Sequence, residues 1–220
     1  MNALAFDTAT AACSVALRRE DGKVFESRPP ASRMFERPAH TTELLPAILE
    51  LCAQAEISLD EVRQLAVGVG PGAFTGLRIG VATARAIATA NQIELIPVSS
   101  LAALAGSGEV VAVVDARRSE FFFRIDGEDR LAGPDAAVAA IAAADEPAIG
   151  DGAVKLRGPL EAAGVAVPAD DEPAHVISAV AMLDLAQGAT PLQPDEVVPN
   201  YIRPPDAKVS SRESWLVAGR

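Results

Sequence analysis

The chain has 220 residues, of which 50% are hydrophobic and 22% charged, a globular composition long enough to bury a core in one domain or two small ones. A net charge of -11 and a pI near 4.6 exclude a surface that grips a nucleic-acid backbone unaided, because neutralising phosphates takes Lys and Arg. Any RNA-linked role would have to borrow a basic partner.

Aromatic residues are only 4%, so the expected core is built from Ala, Val, Leu and Ile in close backbone contact. Cys13 and Cys52 fall in apolar patterns and read as reduced, buried thiols. Met1 leads straight into a strand with no basic region before it, and no uncharged apolar run reaches membrane-spanning length. A soluble, cytoplasmic protein is expected.

Ala3–Phe6 is a short apolar strand ending at Asp7, with Thr8 and Thr10 beyond it. Cys13–Leu17 alternates as a second strand, Asp21-Gly22 signals a hairpin, and Lys23–Ser27 reads as a third strand. Arg28–Pro38 has the composition of a mobile loop. Thr41-Thr42-Glu43 opens a helix that runs to about Ala55. Leu44, Leu45, Ile48, Leu49, Leu51, Cys52 and Ala55 cover an arc of roughly 160° on it, wider than a helix lying on a sheet needs.

Leu65–Val67 then ends a buried strand and feeds Gly68-Val69-Gly70-Pro71-Gly72-Ala73, after which a helix runs from Phe74 to about Ala90. Gly70 and Gly72 permit a tight bend, and Pro71 suits a helix start. Such a turn makes either an anion site or a place of close backbone approach. Within the helix, Gly76, Gly80, Ala84 and Ala88 form a stripe of nearly bare backbone flanked by Leu77, Val81 and Ile87. Interior glycine costs up to about 1 kcal/mol, so the stripe implies close packing, against either this chain's own sheet or a helix of another subunit.

Leu95–Val98 is a further strand, and Ser99-Ser100 caps a helix through Leu104. After Gly106 the opening pattern returns: a strand ending at Asp115, a turn, then the strand Glu120–Ile125. The repeat predicts two related α/β lobes, 1–105 and 106–203, with an extended tail at 204–220. Pro134–Ala144 reads as an Ala-rich helix, Pro147–Ala153 as a strand into a glycine turn, and Val176–Gln187 as a last amphipathic helix.

Catalytic constellations come up short. The chain has two histidines and no H-E-x-x-H, Cys-His or G-x-S-x-G arrangement. His40 and Glu43 could touch one metal, but nothing nearby completes a site, so His40 reads as a surface or capping residue and His175 as a loop residue. No lysine follows the glycines as a phosphate-binding loop requires. Gly68–Ala73 matches the dinucleotide pattern, but the acidic residue expected at the end of the next strand is absent. Asp7, Thr8, Thr10 and Asp115, at matching turns, could hold a Mg-nucleotide between the lobes or merely cap their turns.

Five stretches together resemble the TsaB (YeaZ) family: Asp7–Thr10, His40–Pro46, Gly70–Gly80, Asp115–Arg118 and Pro199–Arg203. Members are accessory subunits in making threonylcarbamoyladenosine at position 37 of ANN-decoding tRNAs. The resemblance implies an actin-like, sugar-kinase-like (ASKHA) fold and no catalytic site. It implies partnership with the catalytic paralogue TsaD and the ATPase TsaE, homodimers as well, and contact with tRNA only through the complex. ATP or ADP and a metal ion belong to those partners. The paralogue binds its metal with two histidines four apart; here His40 is followed by Leu44.

The implied partner surface lies on helices 41–55 and 74–90. It comprises His40, Leu44, Leu45, Ile48, Gly72, Phe74, Thr75, Gly76, Arg78, Gly80, Val81 and Ala84. On that expectation Gly80→Arg or Ala84→Arg abolishes partner binding and spares the fold. The rival readings are a metallopeptidase-like hydrolase, a Mg-nucleotide ATPase and a plain regulatory homodimer.

Overall fold

The computed structural model describes residues 1–202. The sequence-predicted tail at 204–220 and Arg203 lie outside the described residues.

Two mixed sheets share one plan. In the first, β1 (Asn2–Asp7), β2 (Ser14–Arg18) and β3 (Val24–Ser27) form an antiparallel meander. Strands β4 (Val62–Gly70) and β5 (Leu95–Ser99) then add in parallel, giving the order β3-β2-β1-β4-β5. In the second, β6 (Val111–Arg117), β7 (Glu120–Ile125) and β8 (Glu128–Ala132) repeat the meander, and β9 (Ala148–Ile149) pairs parallel to β6. The order β8-β7-β6-β9 matches the first four strands of the other sheet. The two-lobed α/β architecture is thus an actin-like one.

Strand alternation assigns the layers. Leu4 and Phe6 face one side of β1, where α1 (His40–Gln54) and α2 (Phe74–Asn91) cover them with Leu44, Ile48, Leu51, Val81, Ala84 and Ile87. Ala3 and Ala5 face the other side, a middle layer holding α3 (Ser100–Ala105) and α7 (Ala179–Leu185). Ala112, Val114 and Phe122 of the second sheet close the same layer, so the two sheets share a core. Val111, Val113, Phe121 and Phe123 turn outward under α4 (Pro134–Ala144), α5 (Asp151–Lys155) and α6 (Arg157–Ala162). Small Ala side chains in the middle layer let sheet and helix approach closely, which is how a chain poor in aromatics fills its core.

Several sequence expectations are corrected. The stretch read as a loop at 28–38 contains a 3-10 turn, Ala31–Phe35, pinned by buried Ala31 and Met34; the Arg28 guanidinium donates to the Pro173 carbonyl at 2.7 Å. Pro71 does not begin a helix: α2 starts at Phe74, and the Gly70–Pro71 peptide is cis. The last helix is shorter than expected, because the Ser178 hydroxyl accepts from Ala181 N and fixes its start. His175 is buried: the Gly150 N–H donates to Nδ1 at 3.0 Å, leaving Nε2 to donate toward the Pro168 and Ala169 carbonyls.

The segment after α7 returns to the first sheet. Leu192 bridges to Leu95, Val197 enters the core beneath α1 and α2, and the Asn200 N–H donates to the Val69 carbonyl at 2.7 Å. Tyr201 is thereby delivered to the start of α2.

Candidate functional site

The glycine turn is a place of close backbone approach, and what approaches is this chain's own β1–β2 loop. The Ala73 N–H donates to the Ala9 carbonyl at 2.7 Å, and the Thr8 hydroxyl donates to the Gly76 carbonyl at 2.8 Å. A Cβ on Gly72 would lie 2.5 Å from Ala9, one on Gly76 2.1 Å from the Thr8 carbonyl, and one on Gly80 2.3 Å from Thr8 Oγ1. The stripe of Gly76, Gly80, Ala84 and Ala88 therefore faces inward. Of the two packing partners the stripe allowed, the structure places the chain's own loop and sheet there.

Among the other expected partner residues, Leu44, Ile48 and Val81 are also core residues, at 3% exposure or less. His40 is buried rather than superficial: its ring lies against Gly76, and neither ring nitrogen reaches a hydrogen-bond partner. Burial holds its pKa below the ordinary value, and the nearby Thr10 backbone and Glu43 carboxylate offset this only in part.

What remains outside is a second line, two residues out of phase with the first. Phe74, Arg78, Ala82 and Ala86 point away from the core on α2, with Thr75 beside them. On α1 the broad apolar arc splits: Leu44, Ile48, Leu51 and Cys52 go in, while Leu45 and Leu49 stay 48% and 56% exposed. Gly72 is partly exposed at the edge.

At the start of α2 the side chains are organised. The Arg78 guanidinium sits 3.9 Å above the Phe74 ring, and its Nε donates to the Tyr201 hydroxyl at 3.1 Å. The Phe74 and Tyr201 rings pack with centroids 5.3 Å apart. Phe74 is nevertheless 49% exposed and Tyr201 40%. Aromatic rings and an arginine held rigid at a surface lose little entropy on docking. Tyr201 was not among the residues expected at this surface, because nothing in the local pattern indicated that the chain returns there.

Asp7 is fully enclosed. Its carboxylate accepts from the Ala9 N–H at 2.7 Å and from the Ser100 hydroxyl, and Gly68 leaves no room on its third side. Burial raises its pKa, the two hydrogen bonds opposing. Thr8 and Thr10 are likewise buried and bonded to backbone. Asp115 pairs instead with Lys155 and Arg117, while its N–H donates to Asp151 at 3.0 Å. Each aspartate is thus engaged by its own surroundings, Asp7 by the first turn and Ser100, Asp115 by Arg117 and Lys155. Burial pushes the Asp151 carboxyl up to about 6, an acid the sequence reading missed. Cys13 and Cys52 are free and buried, and burial pushes the Cys13 thiol up to about 12. Among the described residues, no cluster of three His, Cys, Asp or Glu side chains could hold a metal, and no helix is long and apolar enough to cross a membrane.

This fold, with its buried glycine turn, defines an actin-like α/β protein. Residues 36–157 match the family model described as TsaD, tRNA N6-adenosine threonylcarbamoyltransferase. An uncharacterized protein of Mycobacterium tuberculosis is 36% identical over 210 residues, spanning 93% of each chain. The Haemophilus influenzae protein named for tRNA threonylcarbamoyladenosine biosynthesis, TsaB, is 39% identical over 127 residues, 54% of this chain and 51% of that protein. The match to that relative thus spans about half its length. The structure of YeaZ from Pseudomonas aeruginosa superposes with a TM-score of 0.71 at 29% identity, covering 91% of this chain and 100% of that one. The chain belongs to the TsaB (YeaZ) family, which is related to the family described as TsaD.

Proposed function

We propose that this chain is a non-catalytic accessory subunit of tRNA threonylcarbamoylation, working in the threonylcarbamoyladenosine pathway for which its relatives are named. It docks the catalytic TsaD-type subunit, and with it the TsaE-type ATPase, through the exposed side of α1 and α2. The observation that carries this reading is the outward line of Leu45, Leu49 and Phe74, apolar and exposed beside Arg78 although the inner faces of the same helices already fill the core. A helix face with two exposed leucines, a stacked arginine and two alanines suits another helix, since the small side chains let the backbones approach.

In this reading nucleotide and metal chemistry belong to the partner subunits. The acidic body leaves the tRNA to them as well. The protein acts in the cytoplasm, and a second copy of the chain competes for the same face.

The test is reconstituted threonylcarbamoylation of tRNA with TsaD-type and TsaE-type proteins of the same source and a supply of threonylcarbamoyl-adenylate, with and without this chain. Activity that requires the chain and is lost with Leu49→Asp supports the reading. Equal activity without the chain overturns it.

A further inference from the structure

The charge of α2 runs against that of the chain. Acidic residues number 30 against 19 Lys and Arg, yet the 18 residues of α2 include Arg78 and Arg85 and no Asp or Glu. Seven positions apart, the two arginines lie two turns apart on the outward side of the helix. Other arginines meet carboxylates: Arg18 pairs with Asp184, Arg33 with Glu43, Arg124 with Asp129 and Arg157 with Asp170. Among the described residues, neither Arg78 nor Arg85 has an ion-pair partner.

Arg78 is also held in one geometry. Of the five N–H donors of a guanidinium, Nε is taken by the Tyr201 hydroxyl, and the Phe74 ring covers one face. The Nη1 and Nη2 end meets no acceptor among the described residues. That end is the one a carboxylate engages with two parallel hydrogen bonds. The helix dipole does not explain the placement, because its negative end lies far away at Asn91.

We propose that Arg78 sets the specificity of the docking face: Nη1 and Nη2 take an Asp or Glu side chain carried on an apolar helix of the TsaD-type subunit. Arg85 adds a second positive charge two turns along. The inference rests on the reading of α1 and α2 as a docking face and names the chemistry that face selects. A second copy of this chain fits less well. Its α2 would bring two more arginines and no carboxylate, and with Glu43 paired to Arg33 the one other acid of α1 is Glu50. Two bodies each of charge -11 also repel.

Affinity for the TsaD-type partner, measured by calorimetric titration at low and high salt, decides the matter. Arg78→Met is expected to weaken binding about 10- to 100-fold, and Arg78→Lys, which keeps the charge without the fork, about 3- to 10-fold. Arg78→Glu should abolish it. Salt should weaken the parent more than Arg78→Met. Because the side chain is exposed, all three variants should melt with the parent. Were Arg78 only a prop for the Phe74 and Tyr201 rings, Arg78→Met and Arg78→Lys would weaken binding alike, with the parent's salt dependence. That result overturns the proposal.

Charge reversal identifies the acceptor. Exposed Asp and Glu residues of the TsaD-type partner, exchanged for Arg one at a time, should restore binding to Arg78→Glu at one position. Restoration at none overturns the proposal. Self-association of Arg78→Glu, read by sedimentation, should be no weaker than the parent's, and a homodimer lost in step with the heterodimer overturns the specificity. Failure of the parent to bind the TsaD-type partner would sink the docking reading itself. Binding lost with Leu49→Asp but kept with Arg78→Glu would sink this inference alone.

Discussion

Gly80 lies against Thr8, and a Cβ at Gly80 would come within 2.3 Å of Thr8 Oγ1. The Thr8 hydroxyl cannot readily yield, because it donates to the Gly76 carbonyl and is fully buried. Gly80→Ala is therefore expected to lose about 1–3 kcal/mol to overpacking, read as a lower urea midpoint. Gly80→Arg should fail to fold, which makes it unsuitable for testing a docking face. Wild-type stability in Gly80→Ala would mean that the helix and loop are spaced more loosely than described.

The outward face calls for different substitutions. Leu49→Asp and Ala82→Arg should leave the melting temperature within a degree or two of the parent, since surface changes of this kind stay within about 0.5 kcal/mol. The same variants should abolish pull-down of the TsaD-type partner. Full binding by both would move the docking surface elsewhere.

Tyr201 bears on the geometry of that face without being needed for the core. Tyr201→Phe removes the hydroxyl that accepts from Arg78 Nε but keeps the ring on Phe74. A modest loss of partner affinity is expected, of about 0.5–1.5 kcal/mol, with Tyr201→Ala losing more. Calorimetric titration would separate the two, and unchanged affinity in Tyr201→Phe would show that the hydrogen bond does not hold Arg78 in place.

Ser100 joins three elements. Its hydroxyl donates to Asp7 and accepts from the Gly70 N–H at 3.1 Å, with the side chain fully buried. Ser100→Ala leaves both partners short, and a loss of about 1–3 kcal/mol is expected from denaturant unfolding. A neutral result would mean that water takes the place of the hydroxyl.

Asp151 makes stability depend on pH. Burial pushes its carboxyl from the ordinary value near 3.8 up to about 6, so the folded protein keeps a proton that the unfolded chain releases. Stability from this group is greatest below about pH 4, is lost as pH rises to about 6, and stays lost above that. Asp151→Asn retains an acceptor for the Asp115 N–H and removes the titration. The variant should show a flatter melting-temperature curve between pH 4 and 6, and above pH 6 it should exceed the parent by about 1–3 kcal/mol. Asp7 titrates in the same direction in both proteins, so the difference curve isolates Asp151. Parallel curves would refute the assignment.

Much of the fold was legible because its signals are local. The alternation of Leu4 and Phe6 with Ala3 and Ala5, the Asp21-Gly22 turn and the Ser99 cap are read within a few residues, and each stands in the structure. The repeat of strand, aspartate, turn and strand likewise foreshadowed two sheets with matching strand order. Elements with weak local signals were missed: β8 carries Asp129 and Arg130 at an edge, and α5 and α6 are short turns held by packing against β6 and each other.

The site was legible in part, and the division has one physical cause. By itself the sequence determined that α1 has too broad an apolar arc and that α2 has a bare stripe, since helical periodicity alone puts those residues on common faces. Which face meets this chain and which meets solvent depends on what stands opposite, and that is set by residues far away in sequence. Thr8 and Ala9 come from the first turn to occupy the glycine stripe, and Tyr201 returns from the far end to stack on Phe74. Only the tertiary structure could therefore decide that Gly76, Gly80 and Ala84 build the core while Leu45, Leu49, Phe74 and Arg78 stay exposed.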